Sequence, residues 1–208
     1  MANDNEYKPV VGLDSLYIAE ITADTAAAFT HGDIAYLAPA AEAKATPSVN
    51  TEVVFADDRV YDVAMGEGQT EIELVITGLD PETLATIAGG FFEASTGRVY
   101  DRAAPNNAPY YALGFRSQKS NGHYRYYWYL KGRFSKPKES FKTLGDTPES
   151  QKTTLIFTAF KTTHQWGLDA PSSPTITDGV IRVWGDQDTT GFAPTGWFTD
   201  VQEPAPTA

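Results

Sequence analysis

The chain has 208 residues, a net charge of −11 at pH 7 and no cysteine. Its hydrophobic content of 41% and aromatic content of 12% supply enough apolar side chains for a packed core, which argues against global disorder. The acidity argues against a general nucleic-acid binder, and the lack of cysteine excludes disulfides and thiolate chemistry. No stretch predicts a membrane-spanning helix, and the first twelve residues show no secretory signal.

The N-terminal part of the chain predicts two short strands and a connector. Residues 1–11 have the character of a loose arm. Residues 16–21 and 34–37 are mostly apolar and are predicted to be strands. Residues 39–47 are bounded by prolines, which predicts a short connector.

Residues 51–79 predict a β-hairpin around which the rest of the chain is organised. Apolar and β-branched residues dominate 53–65, and residues 71–77 alternate between polar and apolar side chains. The segment 66–68 contains two glycines and is predicted to be the turn. An outgoing strand of this length would be about 45 Å long and would cross or leave a compact domain. Alternatively, residues 56–59 form a turn between two short strands.

Residues 80–90 predict one short helix. Asp80 can accept a hydrogen bond from a free amide, and Pro81 suits a first turn because its missing amide has no partner there. Gly89 and Gly90 are predicted to end the helix.

The second half of the chain predicts further strands. Residues 110–118 and 123–134 flank an Asn-Gly pair, which is typical of a tight hairpin turn. Residues 153–161 and 176–184 predict two more strands. The expected fold class is therefore mainly β, a β-sandwich or partly open barrel with one short flanking α-helix.

The charges of the chain are unevenly distributed. Residues 52–73 are acidic apart from Arg59, and residues 116–142 are basic apart from Glu139. Such unlike segments suit head-to-tail self-association, although two separately solvated faces would also explain them.

No motif for catalysis, phosphate binding or a zinc site is present. The three histidines are unlinked by any spacing, and residues 186–191 resemble only the start of a calcium loop, whose twelfth position is Trp197. We therefore expect no enzymatic activity, no metal and no cofactor.

The aromatic strand at 124–134 leaves a second function open. Tyr124, Tyr126 and Trp128 alternate with basic residues, a pattern that suits stacking on sugars or on single-stranded bases. A monomeric β-sandwich that binds a glycan or single-stranded nucleic acid is thus the alternative. In the simpler interpretation these aromatic side chains belong to the core.

Several stretches together resemble the major tail proteins, or tail tube proteins, of long-tailed bacteriophages with non-contractile tails. They are LYIAEIT (16–22), VVFADDRVYD (53–62), EIELVITGL (71–79), ALGFRSQKSNGHYRYYWYLKGRF (112–134) and TTLIFTAF (153–160). The resemblance implies a structural virion protein that forms hexameric rings stacked into a hollow tube. It further implies a protruding hairpin that joins a barrel around a lumen through which DNA passes, and it favours that form of the hairpin.

The resemblance also assigns candidate surfaces and partners. The implied partners are further copies of the chain, the tape measure, tail initiator and tail terminator proteins, and transiently DNA, with no membrane. The subunit would assemble in the host cytoplasm and reside in the virion tail. Acidic residues expected to face the lumen are Glu52, Asp57, Asp62, Glu71 and Glu73. Basic residues expected at contacts between subunits or rings are Arg125, Lys131, Arg133, Lys136 and Lys138.

The expected domain organisation has three parts. Residues 1–11 form an N-terminal arm and residues 12–166 form the tail tube β domain. Residues 167–208 are too few for an appended immunoglobulin-like domain. We expect them to form a C-terminal arm or an added strand that docks on a neighbouring subunit, followed by a frayed tail.

Overall fold

The computed structural model describes residues 8–56, 58–102, 108–138, 152–170, 173–176 and 179–204, and these residues are mainly β. The single helix of this part of the chain, α1 (Pro81–Ile87), follows the first four strands. The strands are β1 (Val10–Asp24), β2 (Phe29–Tyr36), β3 (Ala40–Ala56), β4 (Arg59–Ile76), β5 (Phe91–Glu93), β6 (Arg98–Tyr100), β7 (Tyr111–Lys119), β8 (Tyr124–Phe134), β9 (Thr153–Ala159), β10 (Leu168–Ala170), β11 (Ser173–Ile176) and β12 (Arg182–Asp186).

The helix α1 forms for the local reasons that its sequence predicts. The Asp80 carboxylate accepts a hydrogen bond from the amide of Thr83 at 2.9 Å, and a proline occupies the first turn. Gly89 follows the helix with a φ of 70°, a left-handed conformation that glycine adopts without strain. The helix buries Ala85 and Ile87 and leaves its opposite side open.

One antiparallel sheet dominates the fold, with the strand order β2-β1-β7-β8-β9-β4-β3. The second edge of β8 is divided between two partners, because β12 pairs with its first half and β9 with its last three residues. Strands from both halves of this order contribute to one core, so the sheet is strongly curved. The predicted class, a sandwich or partly open barrel with one flanking helix, is confirmed.

The central strands β1, β7 and β8 bury both of their faces. One face packs against β4, β9 and α1 and forms the first core. The opposite face forms a second core, which residues near the C-terminus cover. The fully buried side chains of the first core include Leu16, Ile72, Leu74, Ile76, Leu113, Leu155 and Phe157.

The C-terminal residues pack on their own chain. The Trp128 side chain is fully buried in the second core, and its Nε1 donates a hydrogen bond to the carbonyl oxygen of Trp197 at 2.9 Å. Trp197 and Val201 are themselves buried. The strand β12 is added to β8 of the same chain, whereas the sequence interpretation expected an added strand to dock on a neighbour. The expected division at residue 166 stays a prediction.

The long hairpin is present, but its predicted turn is wrong. Residues 66–68 lie inside β4, where Gly66 pairs with Asn50. The chain instead reverses between Ala56 and Arg59, where the alternative interpretation put a turn, but the strands that flank this turn are long and not short. Asp58 adopts a φ of 59° there. Aspartate tolerates this left-handed conformation better than most non-glycine residues, so the acidic turn does not need a glycine.

Further strand boundaries differ from the sequence expectation. The strands predicted at 16–21 and 34–37 begin earlier, at Val10 and at Phe29. Residues 40–47, predicted to be a connector, form the start of β3, and Pro47 is tolerated there because β3 is an edge strand. The predicted strand at 176–184 begins later, at Arg182. Ser173 of the predicted linker lies in β11, which pairs with β10.

Candidate assembly surfaces

The β3–β4 hairpin is longer than the sheet that supports it. Each strand has 17 or 18 residues, and β9 pairs with β4 only between Thr70 and Ile76. Beyond that point residues 48–56 and 58–69, here called the distal hairpin, pair only with each other in the described part of the chain. Nine residues of extended strand reach about 30 Å. The distal hairpin therefore protrudes from the domain, as the fold prediction requires.

One face of the distal hairpin is apolar and uncovered. Val53 pairs with Val63, and their exposed fractions are 42% and 41%. Val49 is 58% exposed, and Tyr61, beside a bulge in β4, is 76% exposed. Soluble monomers seldom leave a contiguous apolar surface of this kind open, so it indicates a contact with another chain.

The opposite face of the hairpin collects acidic residues. Glu71 and Glu73 alternate with the buried Ile72 and Leu74, so they lie on the outward face. Glu71 is exposed, and Glu73 is half-buried and pairs with Lys44 across the ladder.

A bulge brings a third acid to this face. Between the pairs Pro47–Thr70 and Val49–Glu67, β4 advances three residues while β3 advances two. This extra residue reverses the alternation of β4 beyond it. Asp62 consequently lies on the same face as the glutamates, although an unbroken strand would place it on the opposite one.

The structure describes the other two acidic candidates only in part. Glu52 pairs with Ala64 in the ladder, a register position on the acidic face. Asp57 lies outside the described residues. Whether any of the five acids faces a lumen stays a prediction.

Two of the five basic candidates are engaged in ion pairs within their own chain. Arg125 Nη2 lies 2.7 Å from Asp186 Oδ2, and its guanidinium lies 5.4 Å from the ring centre of Trp184. Lys131 Nζ donates to Asp24 Oδ2 at 2.5 Å. The Arg125 side chain is 29% exposed and the Lys131 side chain is 15% exposed.

Of the other three basic candidates, Arg133 is half-buried and the two lysines are exposed. Arg133 places its guanidinium 4.0 Å from the ring centre of Tyr110. Lys136 is about half exposed and lies 3.6 Å from Asp101, a weak exposed pair. Lys138 is exposed. The role of all five in subunit contacts stays a prediction.

A buried cation, which sequence reasoning missed, ties the C-terminal part to the β7–β8 turn. Lys119 is 1% exposed, and its ammonium contacts Asp186 Oδ1 at 2.9 Å and the carboxylate of Asp188. Asn121 and His123 from the turn also contact Asp188. The calcium-like segment thus surrounds a lysine ammonium, and the local sequence holds no signal for a cation that lies 67 residues away.

These contacts change the pKa values of the carboxyl groups. Burial alone raises the pKa of Asp186, but hydrogen bonds from the Asp188 amide and from Lys119 outweigh it, so the pKa is lowered. The pKa of Asp188 is lowered well below its usual range, chiefly by the hydrogen bond from Lys119. Both carboxylates therefore remain charged at neutral pH, and their pairing with Lys119 stabilises the fold there.

Asp24 is a second junction of the fold. It accepts hydrogen bonds from Lys131 and from the backbone amides of Thr163 and His164. Burial alone raises the pKa of Asp24, and these bonds outweigh that effect and lower it. The residue links the end of β1 to β8 and to the segment after β9.

The aromatic strand does not offer a binding platform. Tyr126 is 6% exposed and Trp128 is fully buried, covered by Phe192, Trp197 and Phe198. Tyr124, the third ring of the pattern, is half-buried. The alternative of a glycan or single-stranded nucleic acid module required all three rings to be accessible, and two of them are buried.

Among the described residues, no group of three or more acidic or histidine side chains is arranged to hold a metal ion. The helix α1, the single helix of this part of the chain, is not long and apolar enough to cross a membrane.

The fold and its uncovered hairpin define the chain as a structural β protein that presents one unpaired face for association. A family model for the phage tail tube protein matches residues 47–202, which is most of the chain. The chain belongs to this phage tail tube family, so it is a structural component of the virion tail. A comparison with curated protein sequences gave no match.

Replacing Lys119 by methionine should lower the unfolding temperature by roughly 10 °C at pH 7, because two carboxylates lose their shared cation. The paired carboxylates stabilise the fold above their unfolded pKa of about 4 and lose this effect as pH falls through their lower folded pKa values. The deficit of Lys119→Met should therefore shrink towards pH 3. Thermal melts followed by circular dichroism measure it.

The matched control is Lys152→Met, because Lys152 is exposed. It should melt close to the unmodified chain at both pH values. An equal deficit of Lys119→Met at pH 7 and pH 3 would show that the loss is one of packing and not of charge.

Proposed function

We propose that this chain is the repeating subunit of a hollow tail tube, in which rings of six copies stack and phage DNA passes through the lumen. The observation that carries the proposal is the distal hairpin, which protrudes with an apolar face uncovered. Membership of the tail tube family supports the same proposal. We infer the six-fold rings and the passage of DNA from the family together with the protruding hairpin.

The hairpin also leaves a strand edge open. Within the described residues β3 pairs only with β4, so its outer edge presents unpaired amide and carbonyl groups along most of its length. Open edges of this length are aggregation hazards unless another strand covers them. A barrel closed by the hairpins of neighbouring copies would pair the open edges of each hairpin, which is the arrangement we propose.

The two faces of the hairpin suit the two sides of such a barrel. The apolar face around Val53 and Val63 would pack against neighbouring subunits. The acidic face, with Asp62, Glu71 and Glu73, would line the lumen. DNA carries one phosphate charge per ~1.7 Å of helix axis, so a cationic lining would hold it through many contacts. A carboxylate lining would repel it weakly and let it slide.

Only some of the basic candidates contribute to contacts between subunits in this proposal. Arg125 and Lys131 already form ion pairs within the subunit and would stabilise it rather than its contacts. Lys136 and Lys138 are accessible and would meet acidic groups of a neighbouring copy.

The remaining parts of the proposal concern partners and place. The tube would enclose a tape measure protein and would be bounded by initiator and terminator proteins at its ends. Subunits would assemble in the cytoplasm of the host bacterium. No step would require catalysis or a cofactor.

Replacing Val63 by aspartate should abolish assembly and leave the subunit folded. Val63 is 41% exposed in the isolated chain, so a charge there does little harm until a neighbour has to bury it. Negative-stain electron microscopy over a concentration series, with light scattering, measures assembly, and circular dichroism measures folding. Uniform hollow tubes from Val63→Asp would contradict the proposal.

The control for that experiment is Val11→Asp on β1, where the side chain is 63% exposed and lies away from the hairpin. It introduces the same charge on a strand of the same sheet. It should form rings or tubes at the concentrations that the unmodified chain requires.

Virions that carry the double change Glu71→Lys and Glu73→Lys should have intact tubes and eject DNA more slowly, because a cationic lining would bind phosphates. The control Glu20→Lys with Asp33→Lys changes the charge equally at two exposed acids beside α1. Ejection is followed by the time course of DNA release. Normal ejection from intact Glu71→Lys, Glu73→Lys tubes would remove these glutamates from the lumen.

A further inference from the structure

A cleft with apolar side chains in its lining lies between α1 and β6. Its floor consists of Leu84, Ala88 and Val99, and its volume is about 430 Å³. Val99 is 37% exposed although it is an aliphatic residue on a short strand. Recesses of ~300–1,000 Å³ with apolar floors are the usual size of binding pockets. Ala85, Asp101, Lys136 and Pro137 complete the lining.

The distal hairpin carries an aromatic side chain of the opposite shape. Tyr61 has an exposed fraction of 76%, the highest among the large hydrophobic side chains whose burial the structure describes. It lies at the point where β4 advances two residues against one of β3, between the pairs of Asp62 and Val60. A bulge at this point turns the side chain out of the regular alternation. Tyrosine is among the residue types that most often anchor interfaces, because a large ring loses little entropy when it is buried.

The charges around the two features are complementary. Asp58 is exposed three residues before Tyr61, at the hairpin turn. Lys136 lies at the cleft, and its pairing with Asp101 at 3.6 Å is weak enough to be exchanged. Arg98 and Arg102 are exposed and lie next in sequence to Val99 and Asp101 of the cleft lining. Charges of the opposite sign are Arg59 next to Asp58 on the hairpin, Asp101 at the cleft and Glu93, which pairs with Arg98 in the β5–β6 ladder.

We propose that Tyr61 of one subunit occupies the α1–β6 cleft of a neighbouring subunit in the tail tube. The proposal rests on the function inferred above and adds the surface that receives the hairpin. The protrusion and the recess are different surfaces of one molecule, so the contact is heterologous and can repeat from copy to copy. The same contact covers Val99, which the isolated subunit leaves 37% exposed.

Site-specific disulfide cross-linking tests the proposal, since the chain contains no cysteine of its own. Two single variants, Tyr61→Cys and Val99→Cys, are assembled as a mixture and oxidised, and non-reducing gels show covalent dimers. We expect dimers from the mixture and none from either variant alone. The control mixture replaces Val99→Cys by Trp184→Cys, whose side chain is 51% exposed on β12, and it should give none.

The outcomes separate the two proposals. Tubes without a Tyr61–Val99 cross-link would overturn the cleft assignment and leave the tube function standing. Dimers from Tyr61→Cys alone would show that hairpins pair with each other, which also overturns it. Failure of the unmodified chain to form rings or tubes with its tail partners would overturn both proposals.

A second variant covers the case in which the cysteine mixture assembles poorly. Tyr61→Ala should raise the concentration needed for assembly roughly tenfold or more, as expected for loss of an aromatic anchor. Tyr36→Ala on β2 is the control, because its side chain is 54% exposed and lies away from the hairpin. An unchanged assembly threshold for Tyr61→Ala would contradict the proposal.

Discussion

The structure depends on how each β-strand buries its apolar side chains and pairs the backbone groups along its two edges. The central strands β1, β7 and β8 meet this requirement entirely within the chain, since side chains on both of their faces are buried. The hairpin β3–β4 meets it only in its proximal half, where β9 pairs with β4 and the isoleucines and leucine of β4 enter the core. The distal half stays uncovered in the single chain and is therefore available for contacts with other copies.

The C-terminal residues follow from the same requirement. A β1–β7–β8 layer with only one covered face would expose Trp128 and Tyr126 to water. Residues 192–201 close that face, and the Lys119 cluster holds the strand before them against the β7–β8 turn. The subunit thus separates its two tasks: the layer and its C-terminal cover provide a rigid body, and the hairpin provides the contact.

Features that depend on neighbouring residues were predictable from the sequence. The helix after Asp80 and the Asn121-Gly122 turn formed as expected, because a cap and a tight turn are decided within a few residues. The position of the hairpin turn was left open between residues 66–68 and 56–59, since the two glycines are a stronger local signal for a turn than Asp58, whose positive φ marks the observed one. The bulge that places Asp62 on the acidic face depends on the pairing register, which one strand alone does not encode. Similarly, nothing near Lys119 indicates that its partners lie beyond residue 180.

Backbone hydrogen exchange tests most directly whether other copies of the chain pair with the distal hairpin and cover it. Amides of residues 48–56 and 58–69 would be compared in dilute subunits and in assembled tubes, with β7 and β8 as the internal reference. We predict rapid exchange of the distal hairpin in the dilute subunit and strong protection after assembly, with the reference strands protected in both states. Equal protection of the hairpin in both states would show that it is complete within its own chain, and would contradict the account.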